Sequence, residues 1–317
     1  MFVINTVNGV DFEKVVLRDE NTGTVVEIVP SCGALLHVFA VQHNGSLLNV
    51  IDSYTDKEDF KQNVESKGFR SSKLTPFACR INNASYNFGG QQYTIEKFIL
   101  NGSALHGLLY DAVFTVTETT ANEESAKLIV EHRYKGTDKG YPFKFTCTVV
   151  FELKTGNRLS VSTTITNNSG GLIPVQDGWH PYFGFGGSIN ELQLEFQSKE
   201  KVEFNDALIP TGKMFPYQEF GALKKIGDAE FDNCFTLNFA ECQPLCVLRD
   251  PAKKLQVEIH PGASYPYLQV YTPPHRNSIA IENLSAIPDA FNNHIGLQVL
   301  EAGAAAHFTT TYIITSL

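Results

Sequence analysis

No stretch of the 317-residue chain approaches the ~18 consecutive apolar residues of a membrane-spanning helix. The start, Met1-Phe2-Val3-Ile4-Asn5, also lacks the basic segment, apolar segment and cleavage site of a secretory leader. A soluble, cytoplasmic protein is expected. Basic residues are outnumbered, 25 Lys and Arg against 34 Asp and Glu, for a net charge of −9. That balance gives no general attraction to phosphate backbones or anionic lipid, so neither nucleic acid nor membrane is expected as a partner. The lysine doublets Lys224-Lys225 and Lys253-Lys254 stand alone, with no basic stripe around them, and read as solvated surface.

Cysteine is scarce enough to matter. Six residues, Cys32, Cys79, Cys147, Cys234, Cys242 and Cys246, make no disulfide framework in a chain able to build its own core, and they read as buried, reduced thiols. Cys242 and Cys246 are half of a zinc site without a second close Cys/His pair, so no metal is expected. H-E-x-x-H, G-x-S-x-G and the P-loop are all missing, which removes the main support for peptidase, α/β-hydrolase and NTPase readings. Gly184-Phe185-Gly186-Gly187 lacks the sixth-position glycine of a dinucleotide loop and precedes an alternating segment, Asn190 to Phe196; it reads as a turn.

What is present is strand. With 43% hydrophobic and 19% charged residues the chain can bury a large core. Lys144 to Phe151 and Leu159 to Ile165 alternate with period two and are rich in β-branched residues. Turn clusters such as Asn44-Gly45, Gly89-Gly90 and Thr155-Gly156-Asn157 follow at short intervals, as antiparallel hairpins require. The one helical pattern is short, Asp56 to Val64, with Asp56 as N-cap. No repeat or linker divides the chain, so one domain over 1–317 is expected, an all-β antiparallel sandwich with a concave face for a small ligand.

Three segments carry candidate chemistry. In Gln176-Asp177-Gly178-Trp179-His180-Pro181-Tyr182-Phe183, alternation puts Gly178 and His180 on one face and Trp179 on the other, so Trp179 belongs to the core and small Gly178 leaves room for a ligand beside His180. His106 sits in Ala104-Leu105-His106-Gly107; for either histidine alone, the ordinary reading is a hydrogen-bonded structural residue. In Ser278 to Asn283, Ile279 and Ile281 form an apolar face opposite Ala280 and Glu282, and that carboxylate either reaches solvent or sits in a cleft that sets its pKa. Tyr267, Gln269 and Tyr271 share a face that reads as a polar, aromatic cleft wall.

Together these segments resemble the aldose 1-epimerase (galactose mutarotase) family. The matches run in family order through Thr75-Pro76-Phe77-Ala78-Cys79-Arg80-Ile81, Leu105-His106-Gly107, His180-Pro181-Tyr182-Phe183, Asp232-Asn233-Cys234-Phe235, Gln269-Val270-Tyr271-Thr272, Ile281-Glu282 and Pro288-Asp289-Ala290. They cover nearly the whole chain, and their order carries more weight than any one of them. The resemblance implies a large antiparallel β-sandwich, called a supersandwich. It also implies an isomerase that interconverts the α and β anomers of an aldohexose by acid–base ring opening and closure. Glu282 is then the general base and His180 the general acid, while Arg80, His106, Asp232 and Gln269 bind the sugar, with no metal or organic cofactor.

The chain departs from the family pattern at Cys79, where Asn is common before the Arg, at Leu108, where a second Gly commonly follows His-Gly, and at Asn283-Leu284, where Glu-x-Gln is frequent. The first two are expected to border the sugar pocket, and all three bear on which aldose is preferred. Two other readings stand beside the first: a hexose-phosphate 1-epimerase, for which Arg70, Lys73, Arg80 and Arg276 are the candidate cations, and a non-catalytic sugar-binding protein on the same fold. Paired-carboxylate glycoside hydrolysis fits less well, because the resemblance supplies a Glu with a His. Monomer and homodimer remain equally open.

Overall fold

The computed structural model describes residues 1–317. Its strands form antiparallel ladders throughout, because hairpins follow the turn residues that permit them. Phe145–Lys154 pairs with Arg158–Asn167, and both Gly156 and Asn157 between them take a positive φ. The helix covers Lys57–Asn63, capped by the Asp56 carboxylate, which accepts from the amides of Glu58 and Asp59. It buries only Phe60. No helix is long and apolar enough to cross a membrane.

Two large sheets lie face to face. One has nine strands and includes Phe145–Lys154, Arg158–Asn167 and Ala305–Ser316 at its centre. The other has eight, running from Pro210–Pro216 through Ser198–Phe204, Asp232–Leu237, Tyr267–Tyr271 and Ile279–Leu284 to the short strands Gly178–Trp179 and Lys73–Leu74, with Tyr182–Phe183 also paired to Ile279–Leu284. Phe151 and Tyr312 of the first sheet meet Trp179 and Phe183 of the second, with ring centroids 5.8 and 5.5 Å apart, and a continuous core of 64 buried residues joins the sheets. Trp179 is therefore core, as its alternation predicts. A five-stranded meander over Phe2–Asn49 adds Leu17, Val26, Ile28 and Phe39 to the same core.

Five of the six cysteines are buried and free, but Cys242 is exposed, a departure from the expectation that all six are packed away. Gly184 to Gly187 forms a connection, followed by a short 3₁₀ turn and the strand Gln193–Phe196. Gly178 is corrected in its role. A Cβ there would lie 2.7 Å from Leu284 Cδ2 and 3.3 Å from the Ala78 Cβ, so the missing side chain lets neighbouring strands pack and opens no ligand space.

The strand before His180 is pinned by a charge pair inside the protein. Lys73 and Asp177 are both fully buried, with Lys73 Nζ 2.5 Å from Asp177 Oδ2, 3.0 Å from the Gly178 carbonyl and 4.6 Å from the Trp179 ring centroid. Asp177 also accepts from Tyr265 at 2.6 Å and Thr75 at 2.9 Å. Both charges thus have hydrogen-bond partners beyond each other, the condition under which a buried ion pair is tolerated.

Candidate active site

The same alternation that sends Ile279, Ile281, Leu268 and Val270 into the core sends their neighbours to the opposite face of the eight-stranded sheet. Register then aligns them. Gln269 lies directly across from Glu282 on one side and Cys234 on the other, and Tyr271 lies between Asp232 and Ala280. Gln269 Nε2 donates to Asp232 Oδ1 at 2.9 Å. Asp232, Gln269, Tyr271 and Glu282 floor a cavity of about 180 Å³, below the ~300–1,000 Å³ of drug-sized sites and suited to one small polar molecule.

The walls come from loops in unusual backbone conformations. Arg80 begins a two-residue strand whose partner is Leu105, and the amide of His106 donates to the Cys79 carbonyl at 2.9 Å. Cys79 and His106 both have positive φ, 53° and 57°, a region non-glycine residues enter rarely and mostly where surrounding structure enforces it. Gly107 makes that turn feasible: its φ is +80° and a Cβ would stand 2.3 Å from the Thr75 carbonyl oxygen. Gly107→Ala is accordingly expected to destabilise the fold by about 1–3 kcal/mol, read as a lower urea midpoint at unchanged slope. Asp289 holds the far side, its amide donating to the Arg80 carbonyl and its carboxylate accepting from the Asn82 amide.

His180 follows its strand directly, with backbone bonds to Ser71 and Ser72. Its ring stacks on Tyr182 at 5.1 Å and 7°, stands edge-on to His106 at 5.0 Å, and presents Nε2 3.3 Å from Glu282 Oε1. Phe69 packs on His106 from the other side, at 4.6 Å. Arg80, His106, His180, Asp232, Gln269 and Glu282, the six residues singled out from sequence, all line the one cavity. Tyr271 joins them, but Tyr267 packs elsewhere, against Leu74 and Cys79 on one side and Val202 and Cys234 on the other.

Burial sets the electrostatics. Glu282 is 2% exposed, and loss of water, reinforced by the Asp232 charge and opposed by Arg80, raises its pKa well above the carboxylate range. Burial draws His180 down to about 3, and draws His106 well below its usual value, with His180 and Arg80 adding to the effect. Asp232 is also raised by burial, against the pull of Arg80 and the Gln269 hydrogen bond. Burial thus favours the uncharged form of both partners, a carboxylic acid facing a neutral imidazole. Glu282 Oε2, Gln269 Oε1, His106 Nδ1 and His180 Nδ1 are buried without a hydrogen-bond partner. Buried polar atoms seldom go unpaired without cause, and here four belong to a single cavity.

Several lining residues went unread in the sequence. Tyr182 stood in view within His180-Pro181-Tyr182-Phe183 without a role, while Phe69, Glu65, Phe204 and Leu208 come from segments with no distinguishing pattern. Of the departures, Cys79 borders the cavity as expected. Leu108 does not; it joins the main core. Asn283 points between the sheets, accepting from Thr310 at 2.8 Å, and Leu284 packs with Leu74, Ala78 and Cys79 beneath the site.

Comparison with known proteins bears on the family and the fold. The family model for aldose 1-epimerase matches residues 13–312. The uncharacterized protein YihR of Escherichia coli (strain K12) is 27% identical over 237 residues, 73% of this chain and 74% of that protein. Among solved structures, a galactose mutarotase-like protein from Clostridium acetobutylicum superposes with a TM-score of 0.84 at 15% identity, covering 100% of this chain and 99% of that one. The galactose 1-epimerase of Lactobacillus acidophilus NCFM gives 0.82 at 18% identity, with 100% and 99% coverage. At such identities the structural likeness speaks for the fold alone, and the family rests on the match along the sequence: this chain belongs to the aldose 1-epimerase family.

Proposed function

We propose that the protein is an aldose 1-epimerase acting on a neutral aldohexose, with Glu282 as general base and His180 as general acid. The observation that carries this is the buried 3.3 Å contact between Glu282 and His180 beside unpartnered polar atoms of His106 and Gln269. Anomer exchange moves one proton off the C1 hydroxyl and one onto the ring oxygen as the C1–O5 bond breaks. The aldehyde then turns about C1–C2 and closes from its other face, returning both protons. The two oxygens share one carbon, so an acid and a base in contact can serve both.

A pair holding a single proton suits that cycle. Passing the Glu282 proton to His180 creates carboxylate and imidazolium together, with Arg80 favouring the carboxylate. Each partner supplies about 10²–10⁴-fold in rate. Arg80 and His106 hold the ring oxygens and balance charge on the opened form, and the Gln269–Asp232 pair orients hydroxyls.

The phosphate-ester reading loses support from where its cations lie. Phosphate recognition takes convergent, available cations. Arg70 is bound to Asp52 at 2.8 Å, Lys73 to Asp177, and Arg276 to Asn190 and the Gly227 and Ala229 carbonyls. Arg80 alone lines the cavity, facing Asp232 and Glu282. Exchange NMR on glucose, galactose and glucose 6-phosphate should show acceleration for at least one neutral hexose and a lower kcat/KM for the ester; the reverse order would favour a sugar-phosphate epimerase. Binding of these sugars with no anomer exchange would make the protein a sugar-binding module.

A further inference from the structure

His106, His180 and Glu282, which the epimerase reading uses for binding and proton transfer, also stand as a compact set of metal-donor atoms. One potential ligand atom from each stands within 4.8 Å of the other two, and all three residues are buried. Two imidazoles and a carboxylate are the donor set of a tetrahedral zinc site with one open position. At metal–ligand distances of ~2.1 Å, tetrahedral ligands stand about 3.4 Å apart. The His180–Glu282 contact of 3.3 Å already matches that edge, and His106 must close only part of a gap no wider than 4.8 Å. The neighbouring Asp232 adds negative charge that offsets Arg80.

We propose that His106, His180 and Glu282 form a site for a zinc-class divalent transition-metal ion, which binds reversibly in competition with the sugar. Competition rests on the epimerase reading; the metal site does not. The support around the ligands decides between resident cofactor and exchangeable inhibitor. Ligating histidines ordinarily donate their second ring N–H to a carboxylate or carbonyl, and losing that partner weakens binding about 10–100-fold. With Nε2 of His180 turned to Glu282, its Nδ1 is unpartnered, so that ligand lacks this support. The ion is therefore held loosely. The other candidate cluster, Asp11, Glu27 and His37, is already served by a cation, with Lys14 Nζ 2.7 Å from Asp11 and 2.8 Å from Glu27.

Calorimetric titration of zinc sulfate into chelator-treated protein, without sugar, tests the site. One equivalent is expected to bind, with affinity at least about tenfold weaker in His106→Asn and in Glu282→Gln and unchanged in Glu27→Gln. Zinc should slow anomer exchange with a midpoint that rises with sugar concentration and extrapolates at zero sugar to the calorimetric one, and EDTA should restore the rate. Absence of stoichiometric binding, binding indifferent to His106→Asn, or binding lost in Glu27→Gln would overturn the proposal. Zinc bound through His106 in a protein that exchanges no anomer keeps the metal site and sinks the epimerase reading; anomer exchange without zinc binding does the opposite.

Discussion

Glu282→Gln protein is expected to fold normally while its acceleration of anomer exchange falls by about 10²–10⁴-fold. The two halves of that result have one cause. Burial favours the neutral form of the Glu282 carboxyl, and a neutral amide of the same shape suits that environment, so the native packing is kept. The amide can neither pass a proton to His180 nor take one from the C1 hydroxyl, and the cycle stops at its first step. Polarimetry on freshly dissolved sugar, with a thermal melt alongside, measures both. Near-wild-type rates would remove Glu282 from the mechanism.

The pH profile distinguishes a shared proton from a conventional histidine acid. An exposed histidine loses its acid form through pH ~6.5, and a rate depending on it declines there as pH rises. Here His180 takes a second proton only as pH falls toward about 3, and Glu282 gives up the shared one only well above the carboxylate range. Between these limits the pair carries one proton, and kcat/KM should stay level from about pH 5 to pH 7. Below the lower limit the base is lost and above the upper one the acid is lost. A midpoint near 6.5 would show that His180 titrates as a free group.

Lys73→Met should be the most damaging substitution away from the cavity, costing about 3–5 kcal/mol in urea unfolding. The methionine fills the stem's volume but leaves the Asp177 charge buried without its ammonium, and the Gly178 carbonyl without a donor. Tyr265 and Thr75 still donate to Asp177, so the damage comes from uncompensated charge. Asp177→Asn added to Lys73→Met removes that charge and should recover part of the loss. A double mutant no better than the single would place the cost in packing around Trp179 instead.

How much of this was legible follows from which interactions are local. The helix at Asp56, the alternation of Ile279 to Glu282 and the core position of Trp179 depend on residues one to four apart, and the sequence displays them directly. The cavity-lining set was legible because its motifs run in the order of the family that the chain resembles. The Lys73–Asp177 pair spans 104 positions and ends in Tyr265, so no local pattern announces it. Gly178 reads as making room beside a ligand and Leu108 as bordering the sugar pocket, because each stands two residues from a motif histidine. The structure shows that the room goes to Leu284 and Ala78 in one case, and that the side chain goes to the main core in the other.

The shared ladder of Asp232–Leu237, Tyr267–Tyr271 and Ile279–Leu284 has a consequence for how such a protein can change. A slip of one residue in any of these strands exchanges its two faces. Ile281 would then stand where Glu282 stands, and Glu282 would enter the space between the sheets. Chemistry and core are thus written on alternate letters of the same lines, and an insertion that damages one damages the other. Length variation is left to the connections at the strand ends. There Leu208 and Glu65 line the cavity from outside the ladder, so the cavity's lining can vary while the ladder stays fixed.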